Sequence, residues 1–306
     1  PWRHATINGW ILDPDRKKMS KSKGNATTPS GMLVEHGTDA VRYWAASARL
    51  GIDAALDTAQ MKVGRRLAIK ILNASKFALS FGEVEAGDLV ALGERVTEPL
   101  DRSLLATLAD VVDRATAAYD AMDYTKALEV SETFFWSFCD DYLELVKDRA
   151  YGGRDVPVSA EAATSARAAL RIALDVQLRL LAPVVVFATE EVWSWFHEGS
   201  VHRAGWPVRE ELAGAADGDP AVLVAVSEAL QGVRRVKSDA KVGMRAEITG
   251  MTLAGPPVQL DHVRAGDADL AAAGHITALT YAAVDDLTAL EVRDATIVPP
   301  EPRQRS

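Results

Sequence analysis

The spacing of apolar and polar positions predicts a chain made mostly of helices, with one short strand before them and a few β-like runs after them. Residues 5–12, Ala-Thr-Ile-Asn-Gly-Trp-Ile-Leu, read as a strand, and Asp13-Pro14-Asp15 supplies a turn out of it. Thr28 followed by Pro29 reads as an N-cap and first helical position, and Gly37 closes that helix after His36. Thr38 is the expected cap of a second helix, Asp39–Ala48, with Val41, Trp44 and Ala45 on one face. Asp57 and Thr58 open a longer helix running to about Phe81, with Ile69, Leu72, Phe77 and Leu79 as its expected apolar face.

A break rich in Gly, Glu and Asp covers 82–99. Helices are then expected at 100–120, 124–150, 159–181 and 183–197, with short links at Met122-Asp123, Gly152-Gly153 and Pro183. Short links make antiparallel neighbours. Leu104, Leu108, Val111 and Val112 on the first, with Leu128, Phe135, Phe138, Tyr142 and Leu145 on the second, are spaced for a common core. Another amphipathic helix, 220–237, ends in Arg234, Arg235 and Lys237, charges that suit a helix carboxyl end. The β-like runs 248–253, 276–283 and 290–298 suggest a small α/β appendage, and 299–306 reads as a disordered tail.

Between the strand and the first helix lies Lys17-Lys18-Met19-Ser20-Lys21-Ser22-Lys23-Gly24-Asn25. Four lysines within seven residues, two serine hydroxyls and a glycine make a mobile, solvated loop, and that chemistry wants an anion. A polyphosphate fits it best; a plain solvated turn is the bland alternative. Charge changes the picture further. The 306 residues carry a formal net charge of −9, yet residues 1–80 hold 13 Lys+Arg against 6 Asp+Glu. A local polyanion site on an otherwise acidic protein is the expected meaning. On the long helix Lys62, Arg66 and Lys70 repeat every fourth residue, a stripe that either faces solvent or tracks an RNA backbone.

Composition excludes several classes. Hydrophobic residues are 48% and charged residues 25%, near globular averages, and the longest apolar run, Leu180 to Ala188, is far below a membrane span. The single Cys139 makes no internal disulfide and no zinc site by itself, and the 6 histidines are scattered, so no metal site and a reduced cytosol are expected. With Pro1 first and no leader pattern, the chain reads as starting inside a longer protein.

The string Lys18-Met19-Ser20-Lys21-Ser22 resembles the KMSKS signature loop of class I aminoacyl-tRNA synthetases, and its extension to Gly24-Asn25 is similar to the branch that handles valine, isoleucine and leucine. Gly37-Thr38-Asp39-Ala40-Val41-Arg42 resembles the family's Gly-Ala-Asp-Ala-Leu-Arg. Lys70-Ile71-Leu72-Asn73-Ala74-Ser75-Lys76-Phe77 resembles Lys-Leu-Trp-Asn-Ala-Ser-Arg-Phe of the valyl branch, and Gly51-Ile52-Asp53 its Gly-Arg-Asp. Phe138–Lys147 resembles a segment of the anticodon-binding bundle, and Pro183–Trp193 echoes its Pro-Phe-x-Thr-Glu-Glu-x-Trp helix, completed by Trp206-Pro207. Ala182 replaces the usual histidine there and Val186 the usual proline.

The resemblance covers 1 to about 207 and implies a mainly α fold. Its parts would be the remnant of a Rossmann-type catalytic domain at 1–50, a stem-contact helical region at 51–82, an anticodon-binding bundle at 83–207 and the α/β subdomain at 208–298. It implies activation of valine with ATP and Mg2+, then transfer to tRNA-Val, by a cytoplasmic monomer, with the isoleucyl branch or a noncatalytic tRNA-binding paralogue as alternatives. Lys18 and Lys21 are the implied catalytic residues, with Met19, Ser20 and Ser22 completing the ATP contacts. Lys62, Arg66, Lys70, Lys147 and Arg149 are the tRNA candidates, and Tyr142 is a further candidate on the same matched helix as the last two. Asp39 and Arg42 are expected to cap the helix and to form an ion pair that braces the loop rather than to react. The family's HIGH signature, amino-acid pocket and editing domain belong upstream, so this chain alone is expected not to aminoacylate.

Overall fold

The computed structural model describes residues 2, 4–81, 89–153 and 157–298; the backbone of Lys21 is described but its side chain is not. The fold is mainly α, as expected. In order, the elements are β1 (Ile11–Leu12), α1 (Pro29–His36), α2 (Thr38–Ala46), β2 (Ala54–Ala55), α3 (Thr58–Ala78) and α4 (Leu89–Gly93). Then come α5 (Pro99–Asp120), α6 (Tyr124–Ser137), a π turn (Phe138–Tyr142), α7 (Leu143–Ala150), α8 (Ala160–Leu181) and α9 (Val186–Trp193). The chain continues as α10 (Pro220–Asp239), β3 (Glu247–Gly255), α11 (Pro257–Arg264), α12 (Asp267–Gly274), β4 (Leu279–Ala283) and β5 (Glu291–Val298). The expected disordered tail 299–306 and residues 82–88 of the expected break lie outside the described residues.

Contacts gather the chain into two compact units, each drawn from three stretches. The first takes Pro1–Ala86, Asp110–Phe135 and Ala173–Arg209. Its β1 runs parallel to β2, pairing Ile11 with Ala54 and Leu12 with Ala55, so the expected strand 5–12 shrinks to its last two residues. The approach is close at Gly9, where a Cβ would fall 2.2 Å from the carbonyl oxygen of Ile52. Behind the pair, Ala40 and Trp44 of α2 bury against Met61 of α3, and the Trp44 indole donates to the carbonyl of Ala55 at 3.1 Å.

The buried face of α3 differs from the expected one. Met61, Gly64, Leu67, Ile71, Ala74, Ser75 and Ala78 face inward, while Ile69 is 49% exposed. Residues 61, 64, 67, 71, 74 and 78 keep a three-or-four spacing, and small side chains let α2 approach: a Cβ on Gly64 would stand 2.5 Å from the Cβ of Tyr43. Of the expected face, Leu72, Phe77 and Leu79 are half-buried and only Ile69 is exposed, so the packed line is rotated from the expected one toward Met61, Leu67 and Ile71.

Asp39 and Arg42 both reach α9. The Asp39 carboxylate accepts from the N–H groups of Phe187 and Ala188 at 3.0 and 2.8 Å, capping that helix's first turn. Arg42 donates to the carbonyls of Val184 and Pro183 at 3.1 and 2.8 Å. Asp39 thus caps, though a distant helix, and Arg42 braces backbone carbonyls instead of the expected carboxylate. Thr38 is the first helical residue, after Gly37 at the N-cap with φ 90°, and no side-chain bond caps α2.

The second unit takes Gly87–Ala109, Trp136–Ile172 and Glu210–Ser306. The expected single helix 124–150 is interrupted by the π turn, inside which the buried rings of Phe138 and Tyr142 stack at 5.9 Å. The three expected β runs form one sheet in the order β4-β3-β5. β3 lies parallel to β4 (Met251 opposite Leu279) and antiparallel to β5 (Glu247 opposite Val298). A parallel pair needs a crossover, and α11 and α12, unseen in the sequence pattern, provide it. The expected core residues from Leu104 through Leu145 are all buried.

Candidate functional site

The lysine loop leaves the carboxyl end of β1, where α/β sheets collect ligands. Asp13 sits first. Its Oδ1 accepts from the N–H of Lys17 at 2.7 Å and its Oδ2 from the Asn25 amide at 2.9 Å, while its own N–H donates to the Lys17 carbonyl at 2.9 Å. These bonds stabilise the ionised form, and they hold the Asp13 carboxyl below the usual aspartate range, the Lys17 N–H contributing most. Asn25 also donates to the carbonyl of Lys18 at 3.3 Å and accepts from the N–H of Ser20 at 2.9 Å. The two ends of the loop are therefore stapled together, and the turn between them, Lys21–Lys23, is a single 3-10 turn.

What the staple leaves outside is cationic and hydroxylated. Lys18, Ser22 and Lys23 are exposed; Met19 and Ser20 are half-buried, with the Ser20 and Ser22 hydroxyls 2.7 Å apart. The Lys18 ammonium rests 3.7 Å from the centre of the Trp10 ring. An exposed cation–π contact is worth about 0.5–1 kcal/mol, little enough for an arriving phosphate to displace it. Lys21 opens the 3-10 turn; its side chain lies outside the described residues. Sequence reasoning used Asp13 as a turn residue and Asn25 as a motif letter, and gave Trp10 no role. No spacing rule connects positions 10, 13 and 25 to the loop, so there was no signal to find.

In the same unit, Lys62 and Arg66 are exposed along α3 and Lys70 is half-buried. Beside them Arg65 donates to the carbonyl of Glu35 at 3.1 Å, fastening α3 to the end of α1. The stripe stands on a helix whose opposite face is packed, so its charges are held along one line.

The second unit separates the other two candidates. Lys147 is exposed on α7, 3.3 Å from Glu144. Arg149 is 6% exposed, which removes it from the tRNA candidates. Its five donors are all used: Nε and Nη2 reach Asp269 at 2.9 and 2.8 Å, Nη1 and Nη2 reach Asp101 at 2.7 Å, and Nη1 also reaches the Ala162 carbonyl at 3.1 Å. Tyr142 falls with it, fully buried and donating to Asp101 at 2.7 Å. Among the described residues no group of three or more His, Cys, Asp or Glu converges on a metal-sized site, and no helix is long and apolar enough to cross a membrane.

Comparison with known proteins bears directly on this loop and on the helices downstream of it. Residues 1–57 match the family described as tRNA synthetases class I (I, L, M and V), and residues 101–252 match the anticodon-binding domain of tRNA ligase. The chain belongs to the class I tRNA synthetases.

Within that class its relatives are valine–tRNA ligases. It is 61% identical over 287 residues to that of Thermobifida fusca (strain YX), covering 94% of this chain and 31% of that protein. It is 54% identical over 303 residues to that of Salinispora arenicola (strain CNS-205), covering 93% and 34%. The chain thus spans about a third of the length of the curated relatives it matches. A solved structure, the ternary complex of Agrobacterium radiobacter K84 agnB2 LeuRS with tRNA and LeuAMS, matches with TM-score 0.48 and 21% identity, over 67% of this chain and 24% of that one.

Proposed function

We propose that this chain supplies the ATP-gripping loop and the tRNA-holding helices of a valine–tRNA ligase. The observation that carries the reading is the stapled loop. Asp13 and Asn25 fix its ends, and between them Lys18, Ser22 and Lys23 are exposed to solvent. The donor set fits a polyphosphate: ammonium groups for charge, hydroxyls for hydrogen bonds, and no carboxylate between Lys17 and Asn25. Lys21 and Lys18 hold the phosphates and offset the charge that develops when the amino-acid carboxylate attacks the α-phosphate and pyrophosphate leaves. Ser20 and Ser22 add hydrogen bonds. Mg2+ would arrive with the ATP, which accords with protein residues that offer cations here.

For the RNA, the α3 stripe of Lys62, Arg66 and Lys70 suits a phosphate backbone, and Lys147 lies within the region matching the anticodon-binding domain. Valine is favoured over isoleucine by the names of the relatives and by the Asn73-Ala74-Ser75 string. The parent would act as a cytoplasmic monomer. In a polypeptide that joins this chain to the remaining two-thirds found in its relatives, Lys21→Ala should lower ATP–pyrophosphate exchange by roughly 100- to 1,000-fold. Unchanged exchange would refute the assignment of Lys21.

A further inference from the structure

Three helices of the second unit meet at one buried guanidinium. Arg149 of α7 bonds Asp101 of α5 through Nη1 and Nη2, and Asp269 in the first turn of α12 through Nε and Nη2. All three residues are buried, Asp101 completely. Formal charge does not balance there. Two carboxylates face one cation, which leaves an excess of one negative charge away from water, and such an excess is costly unless a proton removes it.

The two carboxylates are unequally equipped to keep that charge. Asp101 accepts from four groups: two Arg149 nitrogens and the Tyr142 hydroxyl, each at 2.7 Å, and the Ser165 hydroxyl at 2.6 Å. Among the described residues Asp269 accepts from Arg149 alone, at 2.9 and 2.8 Å. Donated hydrogen bonds favour an ionised carboxylate, whereas burial and a like charge favour the protonated acid. The proton therefore belongs on Asp269. Burial, with Asp101 and Glu98 adding like charge, outweighs Arg149 and pushes the Asp269 carboxyl up to about 6.

The neighbouring elements leave this balance to the cluster itself. α12 packs against α7 and α10. On α7 the other charges, Glu144, Lys147 and Asp148, line a groove beside the far end of α12, together with His275. α10 turns Val226 toward Gly266, ahead of Asp269, and places its buried charge, Lys237, at that same far end. There the Lys237 ammonium donates to the carbonyls of Gly274 and Met244 at 2.7 and 2.8 Å, acceptors that do not titrate. On α12 itself Asp267 is exposed.

We infer that Asp269 is a proton-operated tie: it takes up a proton as the solution becomes mildly acidic, and the attachment of α12 to α7 tightens as it does so. Folded Asp269 holds its proton more firmly than the unfolded chain does. The stabilisation is complete below the unfolded value of about 3.9 and is lost as pH rises through about 6. Because α12 belongs to the crossover between β3 and β4, the tie bears on the three-stranded sheet as a whole. It operates whether or not the chain holds RNA.

The test follows the aspartate carboxyl carbons of the folded 306-residue chain by NMR, with aspartate labelled in carbon-13, from about pH 8 to about pH 5. One resonance should titrate with a midpoint near 6, and it should be missing from Asp269→Asn. Urea unfolding supplies the second reading. From pH 7.5 to pH 5 the wild-type folding constant should rise roughly tenfold relative to that of Asp269→Asn, in which His275 and the other groups titrate as before. If Asp269→Asn does not fold, the wild-type resonance decides alone. No aspartate titrating above about pH 5, or one that persists in Asp269→Asn, overturns the proposal. So does a wild type that gains nothing on acidification relative to the variant, as an ordinary ion pair would.

Discussion

Asp13 does more for the lysine loop than any lysine does. Its carboxylate receives bonds from both ends of the loop, and those bonds depress its pKa. A depressed acid contributes stability that is complete above its unfolded value, about 3.9, and is lost as pH falls through the lower folded value. The Asn25 side-chain amide should therefore keep its chemical shift from neutral pH down to about 4 and move only below it. Its movement at or above pH 4, or an unchanged shift in Asp13→Ala, would show that the staple is not as drawn. Arg149 teaches the converse. In sequence it was a basic residue beside Lys147 on a matched helix, and nothing local told the two apart. What buries one and exposes the other is a pair of aspartates 48 and 120 residues away.

At the scale of elements, the helices were legible because caps and breaks are local. Asp57 accepts from the N–H groups of Ala59 and Gln60, and Pro29 stands at the start of α1, both where the sequence put them. Which face of a helix packs was less legible, because in α3 glycine, alanine and serine share the packed line with Met61, Leu67 and Ile71. The small residues bury by letting a neighbour come near, a property that hydropathy does not register. The consequence is specific: Gly64→Ala should destabilise the first unit by about 1–3 kcal/mol through overpacking against Tyr43. Ile69→Ala on the exposed side should stay within about 0.5 kcal/mol. Thermal or denaturant melts compare them, and equal effects would mean the helix faces are misassigned. Short strands were the least legible, since β1 has two residues and its partner β2, Ala54–Ala55, carries no strand signal of its own.

For the whole molecule, chemistry and shape were legible to different degrees. The lysine loop and the order of the motifs carried the class, and the charge asymmetry placed the basic part in residues 1–80. The grouping in space did not follow the order in sequence: each compact unit is assembled from three stretches, and α5, α6 and α8 each give residues to both. Such grouping depends on long-range packing that no window along the chain contains. If this chain holds a particular transfer RNA, as we propose, it should select that RNA from a mixture. The purified chain is equilibrated with total tRNA at moderate salt, and the retained molecules are sequenced. Enrichment of tRNA-Val, diminishing as salt is raised, is the predicted result. Retention of no tRNA, or of all species in their starting proportions, would contradict it.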